Sequence, residues 1–463
     1  MVNRWFIILC LLLSVSSAHS QPISLENVLA STRSSFPKIL EARQKLKQAE
    51  AAQLSAQGAF DTQLQQNSRV RTSGYYSGLY ANQKIIKPLQ NYNTKVFAEY
   101  RYADGEFPVY EDEYVTLEGG EFNFGVSFSL LRDRDIDEKR LELANTDLQR
   151  SMEKMRQQAV ENDVQYDAAL AYLNWLNTHQ QLTVYQKLLT TAEERQSAIV
   201  KRVALGDSAE IELIDHQQNL LKRQGQVLKA QNALEIAAIK LSLYWRDNQG
   251  RPQRPELPTK NAGIPNFPMD LRDNIDMLVS DAIVRHPDIN QVENKLEQVS
   301  NESRLYKNQL LPNVDLEVKV AHDLGAGSET RDGLESYIGL QFSMPLERRK
   351  AKGKLNKATA KIRELEFLRQ RLIETLTGSL YQTHAKFINA IAQSDVSLQR
   401  SKIAQKLQVQ EQKRFSEGAS DIFLLNLREE NSAEAEIEAI TAELSHVLAG
   451  IELLGRAYQM DKL

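Results

Sequence analysis

The sequence predicts a mainly α-helical protein with a β-barrel portion, built from a duplicated unit of helix, β-hairpin and long helix. Three observations predict this fold class: motifs that occur twice in the same order, short runs of strictly alternating residues, and helical stretches too long for a compact domain. Because the unit combines membrane-type strands with such helices, it favours a wall or conduit over a compact enzyme.

Three motifs occur once in each half of the chain and in the same order: Phe36-Pro37 with His286-Pro287, 125–134 with 339–348, and Lys-Arg-x-x-x-Gly at 201–206 with the same pattern at 413–418. The spacing between partners differs because the loops differ in length. We predict a signal peptide at 1–20, a first repeat at 21–250, a Pro-rich linker at 251–268 and a second repeat at 269–463. The first repeat has β segments at about 60–130 and long helices at about 133–246. The second has a hairpin at about 312–345 and long helices at about 347–460.

The N-terminus resembles a secretory signal peptide. Arg4 supplies the positive start, 5–15 is the apolar core, and small residues precede a cleavage point before Gln21. The alternative, an uncleaved anchor, is weaker because a membrane-spanning helix needs about 20 apolar residues. Cys10, the only cysteine, lies in the apolar core, so the mature chain is predicted to lack disulfides and thiolate zinc sites.

Composition argues against several classes of function. The chain has 57 basic and 61 acidic residues, for a net charge of −4. It therefore lacks the excess of positive charge that is typical of nucleic-acid-binding proteins. No two histidines of the mature chain have zinc-binding spacing, and phosphate-binding and nucleophile motifs are lacking. Acidic residues alternate with Lys and Arg on helix faces, which indicates solvated ion pairs. We therefore expect no enzyme activity, no cofactor and no metal site.

The long helices are predicted from composition and periodicity. The segments 133–205 and 347–415 are rich in Ala, Glu, Gln, Leu, Lys and Arg, and no proline falls between Pro108 and Pro252 or after Pro345. Apolar residues recur at steps of three and four, the spacing of a coiled coil. An ordinary helix-bundle core would show the same stripes, but a helix of this length has no place in a compact domain.

Short segments alternate between apolar and polar residues, as strands do when one face meets lipid and the other meets water. In the run 122–130 every even position is large and apolar, and every odd position is Asn, Gly or Ser. The predicted lipid-facing side chains are Phe122, Phe124, Val126, Phe128, Leu130, Val314, Leu316, Val318, Ile338, Leu340 and Phe342. The alternative is a soluble antiparallel sheet with one face on a core. Eight of the 16 tyrosines lie within 75–114 and favour the membrane, where aromatic rings collect at the interface.

These runs predict two hairpins and therefore four strands. The second half supplies 313–322 and 336–345, while the first supplies 121–130 and a strand near 60–71. The insert between the last two leaves an additional hairpin around 81–103 open. Four strands cannot close alone, because lipid tolerates no unpaired sheet edge and the smallest membrane barrels have about eight strands. The sequence thus predicts a homo-oligomer without fixing its number.

The signal peptide, the duplicated unit and the two Arg-x-x-x-Gly turns together resemble the TolC-type outer membrane factors, the exit ducts of tripartite efflux pumps and type I secretion systems. The resemblance covers nearly the whole mature chain. It implies a homotrimer with a twelve-stranded β-barrel in the outer membrane and an α-barrel extending into the periplasm of a Gram-negative-type envelope. The implied partners are outer membrane lipid, a periplasmic membrane-fusion adaptor and an inner-membrane pump of RND, MFS or ABC type.

The resemblance also implies that the two turns form a tip that docks the adaptor. The corresponding residues are Arg202, Leu205, Gly206, Arg414, Phe415 and Gly418. Glycine suits a helix end that requires a left-handed conformation. Four acids near the tips are candidates for a cation-selective ring at the periplasmic entrance: Asp207, Glu210, Asp215 and Asp421. The alternative for these acids is that they are solvated and favoured by the dipole at a helix start.

The leading hypothesis is a passive exit duct that opens and closes at its periplasmic tip. The alternative is a periplasmic coiled-coil scaffold or adaptor protein without a channel, and an envelope enzyme is the third class. The scaffold requires the alternating segments to be soluble, whereas the duct requires their apolar side chains to contact acyl chains.

Overall fold

The computed structural model describes residues 23–257 and 274–462. The predicted signal peptide lies outside the described residues, as does the linker beyond residue 257. Within the described part the protein is mainly helical with a single sheet, which confirms that part of the predicted fold class. No helix of these two segments combines the length and the apolar character needed to cross a membrane.

The helices of the described part occur in two sets of four: α1 Leu25–Ser35, α2 Pro37–Gln57, α3 Glu138–Ala204 and α4 Glu210–Ser242, then α5 Ile275–Arg285, α6 Pro287–Asn308, α7 Arg349–Ser416 and α8 Ile422–Arg456. Corresponding helices have 11 and 11, 21 and 22, 67 and 68, and 33 and 35 residues. At a rise of 1.5 Å per residue, α3 and α7 are each about 100 Å long.

Local signals explain where several helices begin. Pro37 and Pro287 occupy the first turn of α2 and α6, where a missing N–H costs no hydrogen bond. The Asp137 carboxylate caps α3 by accepting a hydrogen bond from the Arg140 backbone N–H at 2.8 Å. Asp421 caps α8 in the same way through the backbone N–H of Leu424 at 2.7 Å.

Each long helix is accompanied along its length by two shorter ones. α3 packs against α2 toward the sheet and against α4 toward the other end, and α7 is flanked by α6 and α8 in the same manner. The largest core cluster joins α1, α3, α4 and α8, whereas a second cluster joins α5, α6, α7 and α8. α8 therefore contributes to both: Ile451 and Leu454 belong to the first cluster, and Leu453 belongs to the second.

The sheet has six antiparallel strands in the order in which they occur in the chain. They are β1 Gln63–Arg71, β2 Gly78–Pro88, β3 Lys95–Gly105, β4 Glu121–Ser129, β5 Asn313–Asp323 and β6 Leu334–Ser343. The prediction of two hairpins and four strands is wrong. The additional hairpin, which the sequence left open, is β2–β3, and it separates β1 from β4.

The sheet has a helix end and a far end. The strands β1 and β5 follow α2 and α6, and β4 and β6 lead into α3 and α7, so these four strands meet helices at one end. The turn between β2 and β3 lies at that end too, because the Ser129 N–H donates to the Tyr92 carbonyl at 3.3 Å. The connections 72–77, 106–120 and 324–333 lie at the far end.

The packing predicts that the end of α8 stabilises the second core cluster. Leu453 is fully buried, so Leu453→Ala should lower the free energy of unfolding by about 2–5 kcal/mol through lost transfer energy and a cavity. Chemical denaturation of the detergent-solubilised protein measures this change. Ser445→Ala is the control, because this side chain is exposed on the same helix and bonds only to its own preceding turn. Equal losses in both variants would contradict the assignment.

Candidate functional site

The two turns that join paired helices have the same backbone geometry. At the first, the Asp207 N–H donates to the Arg202 carbonyl at 2.9 Å, and at the second the Ala419 N–H donates to Arg414 at 2.8 Å. Gly206 and Gly418 have φ of +79° and +77°, which other residues adopt only at a cost. Both turns are thus six-to-one helix ends that need glycine.

The predicted tip residues lie at the surface. Arg202, Arg414 and both glycines are exposed, and Leu205 is 77% exposed, while Phe415 is half-buried. Leu205 is therefore an exposed apolar side chain at the extremity of a helical pair. The structure therefore places these residues where another protein could reach them.

The four acids predicted for an entrance ring are also exposed, but they do not form one cluster. Asp421 serves as the N-cap of α8, as in the alternative reading of a helix-start acid. Asp215 lies further along α4, away from the first tip. It lines a cleft of about 390 Å³ between α4 and α8 together with Phe423. Asp207 and Glu210 lie at and just after the first turn. Across the described segments, no three His, Cys, Asp or Glu side chains are grouped to hold a metal ion.

A buried ionic cluster ties the two helical pairs together about three helical turns from the tips. The Glu429 carboxylate on α8 accepts a hydrogen bond from Arg223 on α4 at 2.9 Å and is paired with Arg195 on α3. Arg223 and Glu429 have no solvent-exposed side-chain surface. The cluster holds two cations and one anion, and two neutral oxygens also accept from it: the Leu188 carbonyl from Arg223 at 2.8 Å, and the Asn426 amide from Arg195 at 3.2 Å.

The expectation that the helix carboxylates form solvated ion pairs is wrong for Glu429. Its partners on α3 and α4 are more than 200 residues away in sequence, so no local spacing identifies them. The adjacent Glu430 also pairs with a residue of α4, at a more accessible position. It accepts from Lys222 at 2.8 Å, and that lysine is 56% exposed.

His216 lies beside the ionic cluster and is fully buried. Burial lowers the pKa of its imidazole, and the nearby guanidinium groups of Arg195 and Arg223 lower it further, while Glu429 raises it. The ring is therefore neutral in the folded protein, since a third cation in this cluster would be disfavoured.

The register places the predicted lipid-facing residues on one face of the sheet. Phe124 pairs with Val320 across β4 and β5, and Leu316 pairs with Leu340 across β5 and β6. Phe124 is 57% exposed and Leu340 is 66% exposed. The remaining predicted residues, Phe122, Val126, Phe128, Val314, Val318, Ile338 and Phe342, lie on the same face, and Leu130 directly follows β4.

The same apolar face continues over the three strands that the alternation identified poorly. Ala98 of β3 pairs with Phe124, Ile85 of β2 pairs with Ala98, and Leu64 of β1 pairs with Ile85. A single row of apolar side chains thus runs from the first strand to the fourth. This continuity shows that the β2–β3 hairpin lies in the plane of the sheet and does not project from it.

The opposite face is polar and crowded. Tyr80, Phe97, Glu121 and Asn123 are each less than a tenth exposed there. Glu121 pairs with Arg101 on the neighbouring strand. The sheet therefore has one open apolar face and one crowded polar face.

The connection between β3 and β4 folds over this polar face at the far end. The Tyr114 ring packs on Tyr80 with centroids 4.8 Å apart, and the Arg69 guanidinium lies over Tyr114 at 4.7 Å. The Leu117 N–H donates to the Asp323 carboxylate at 3.1 Å. Several of the clustered tyrosines therefore contact one another and arginine at the far end of the polar face.

The architecture matches solved outer membrane channels. The Neisseria gonorrhoeae MtrE outer membrane channel is 14% identical, with a TM-score of 0.66 over 94% of this chain and 88% of that one. The Campylobacter jejuni CmeC outer membrane channel is 14% identical, with a TM-score of 0.62 over 97% and 90%, and the Vibrio cholerae outer membrane protein VceC is 13% identical, with a TM-score of 0.63 over 93% and 96%. The chain has the TolC-type fold.

The TolC-type fold covers nearly the whole described chain, which confirms the resemblance drawn from the ordered motifs. At the level of sequence, no protein-family model and no curated protein matches the chain. Within this TolC-type fold, the two glycine turns lie at the end of the long helices opposite the sheet, and the ionic cluster lies between them and the helical cores.

The buried cluster predicts that removing the single negative charge of Glu429 lowers the stability of the protein strongly. Glu429→Gln leaves Arg195 and Arg223 buried without an anion, and removing one partner of a buried pair costs about 3–5 kcal/mol. The midpoint of thermal unfolding should fall clearly. Glu430→Gln removes the same charge one residue away, and because its partner Lys222 is 56% exposed, that pair should contribute at most about 1 kcal/mol. Similar midpoints for both variants would show that the cluster contributes nothing special.

The lowered pKa of His216 predicts acid sensitivity. The unfolded imidazole takes up its proton near pH 6.5, whereas the folded one does so only at lower pH, so this residue's contribution to stability is present above about 6.5 and is lost as pH falls below it. The unfolding midpoint of the wild type should therefore fall more between pH 7.5 and 5 than that of His216→Gln. Parallel pH profiles would contradict this assignment.

Proposed function

We propose that this protein is the outer membrane channel of a tripartite efflux pump or a type I secretion system. It acts as a passive exit duct, without enzyme activity, and is gated at its periplasmic tip. In this role it is a homotrimer whose sheets form a barrel in the outer membrane and whose helices extend into the periplasm. The fold similarity to outer membrane channels over at least 93% of the chain supports this proposal.

The two-faced sheet carries the proposal. Its apolar face has large exposed side chains such as Phe124 and Leu340, and its other face is lined by polar and charged groups. In water such an apolar surface calls for a cover, whereas in a bilayer acyl chains cover it and the polar face borders an aqueous lumen. No helix of the described chain covers this face, because the helices contact one end of the sheet.

The helices support assembly from several copies. On α4 the exposed residues Ile214, Leu221 and Leu228 recur every seven positions, and each is at least 53% exposed. On α7, Val396 and Ile403 have the same spacing and are at least 61% exposed. Apolar residues with a heptad repeat are the contact surface of coiled coils. Neighbouring copies would bury these stripes and so line up the long helices into an α-barrel.

The tips are the proposed docking surface for a periplasmic membrane-fusion adaptor, which links the duct to an inner-membrane pump of RND, MFS or ABC type. Arg202, Leu205 and Gly206 present charge and an apolar side chain at the first tip, and Arg414, Phe415 and Gly418 do so at the second. Asp207, Glu210, Asp215 and Asp421, repeated by symmetry, would give the periplasmic entrance a negative potential that favours cations.

The buried cluster is the proposed latch of the closed tip. Glu429 on α8 binds α3 and α4 at once through Arg195 and Arg223, so spreading of the two helical pairs requires this cluster to break. The two buried cations share one anion, so separating any of the three groups leaves a buried charge without a partner. The cluster therefore stabilises the closed state only while all three groups stay together. An adaptor that binds the open arrangement more tightly would shift the population toward it.

Planar bilayer recording tests this function. The purified wild type should insert and give brief openings of small conductance, since the latch holds the tip closed. Glu429→Gln should raise the open probability at least several-fold, whereas Glu430→Gln, which breaks a more accessible contact between α8 and α4, should change it much less. Stable trimers without any conductance in either variant would reject the duct. Extraction by carbonate from membranes would favour the periplasmic scaffold in its place.

A further inference from the structure

We propose that each copy contributes six strands to the wall of the duct, so that three copies form an eighteen-stranded barrel in which β2–β3 is an integral part. The inference rests on the proposed trimeric channel. It differs from the twelve strands that the resemblance implied for the assembled barrel. The surface that makes this possible is the pair of open sheet edges, β1 and β6, and the partner they fit is a second copy of this chain.

The first argument is the position of the hairpin in the sheet. All nine residues of β1 pair with β2, from Gln63–Ile86 to Arg71–Gly78, so β1 has no free side toward β4. β3 pairs with β4 over seven residues, from Lys95–Ser127 to Arg101–Glu121. A four-stranded wall would require both ladders to break and β1 to pair directly with β4. Each broken ladder would leave backbone groups unsatisfied in lipid.

The second argument is that the hairpin has the two faces of a wall. Ile85 and Ala98 continue the apolar row between Leu64 and Phe124. On the other face, Lys84 of β2 pairs with Glu99 of β3 at 3.4 Å. A hairpin outside the barrel would gain nothing from such a division, whereas a hairpin between lipid and lumen requires it.

The third argument concerns the edges. Within the described chain, β1 and β6 each have a single neighbouring strand, and nearly every residue of both is exposed. They have 9 and 10 residues, and they run in opposite directions because β1 leaves a helix and β6 returns to one. A β6 strand placed beside β1 of the next copy therefore continues the antiparallel order.

Charge at the two edges agrees with this pairing. On the polar face, the far end of β1 carries Arg69 and Arg71, which share the single carboxylate of Glu111 at 3.8 Å, and the far end of β6 carries Glu335. When copies pair edge to edge, these groups come to the same face and the same end. Opposite charges across neighbouring strands stabilise a sheet, whereas two edges of like charge would repel.

The consequence is a wide lumen. Barrel diameter grows roughly linearly with strand number, so eighteen strands give a diameter about 1.5 times that of twelve. Barrels of this size enclose an aqueous channel and are not filled by side chains. The connection between β3 and β4, which packs over the polar face through Tyr114 and Leu117, would then extend into the lumen from each copy and narrow its outer end.

Cysteine cross-linking tests the strand order, since the only native cysteine is Cys10. Gln66→Cys with Gln83→Cys joins β1 to β2, and Ala98→Cys with Phe124→Cys joins β3 to β4. Both pairs should form intramolecular disulfides on oxidation of the membrane-inserted protein. Gln66→Cys with Phe122→Cys, which join β1 to β4, should not. A β1–β4 disulfide in high yield would overturn the proposal.

The barrel width is measured independently from electron microscopy projections of the detergent-solubilised trimer. Deleting residues 78–105 removes β2 and β3 and should reduce the diameter of the sheet end to about two-thirds. A wild-type diameter that already fits twelve strands, in protein that conducts in a bilayer, would overturn this inference and leave the proposed function standing. Protein that forms no trimer and no conductance would instead reject both, even if the β1–β2 disulfide forms.

Discussion

Backbone hydrogen bonding at the two open edges of the sheet is the constraint on which the proposed architecture depends. The strands β2 to β5 satisfy their backbone groups within the chain, but β1 and β6 do so on one side only. Water could satisfy the remaining groups, whereas a bilayer could not. A membrane location for the apolar face therefore requires other copies of the chain. In the proposed assembly, copies joined at their strands would also bring their exposed helical stripes together.

The helical part has its own unifying element in α8. This helix begins at a capped turn next to the second tip, carries Glu429 into the buried cluster, and ends with Leu453 and Leu454 in two different cores. A rigid rod fixed in both cores gives the latch a firm support. In the proposed gating, opening of the tip would break the cluster and move the helix ends beyond the two cores, where the helices end in glycine turns.

Much of this structure could be predicted from the sequence, because long helices and clean alternation are local signals. Residues 133–205 were expected to be helical, and α3 spans Glu138–Ala204. β2 and β3 were harder to predict, since Gln83 and Lys87 interrupt the apolar face of β2. The ionic cluster could not be predicted at all. Arg195, Arg223 and Glu429 resemble many other charged residues on helix surfaces, and only the packing of three helices makes them buried.

The β2–β3 hairpin adds an even number of strands, and this limits how such a sheet can change in evolution. Two added strands return the chain to the end of the sheet where it started, so α3 begins at the helix end just as it would without the hairpin. A single added strand would have delivered α3 to the opposite end and destroyed the fold. In the proposed barrel, the circumference of the wall would therefore grow only in steps of two strands per copy, and such a step would leave the helices unchanged. The width of the proposed channel and its proposed docking surface would then be free to diverge separately.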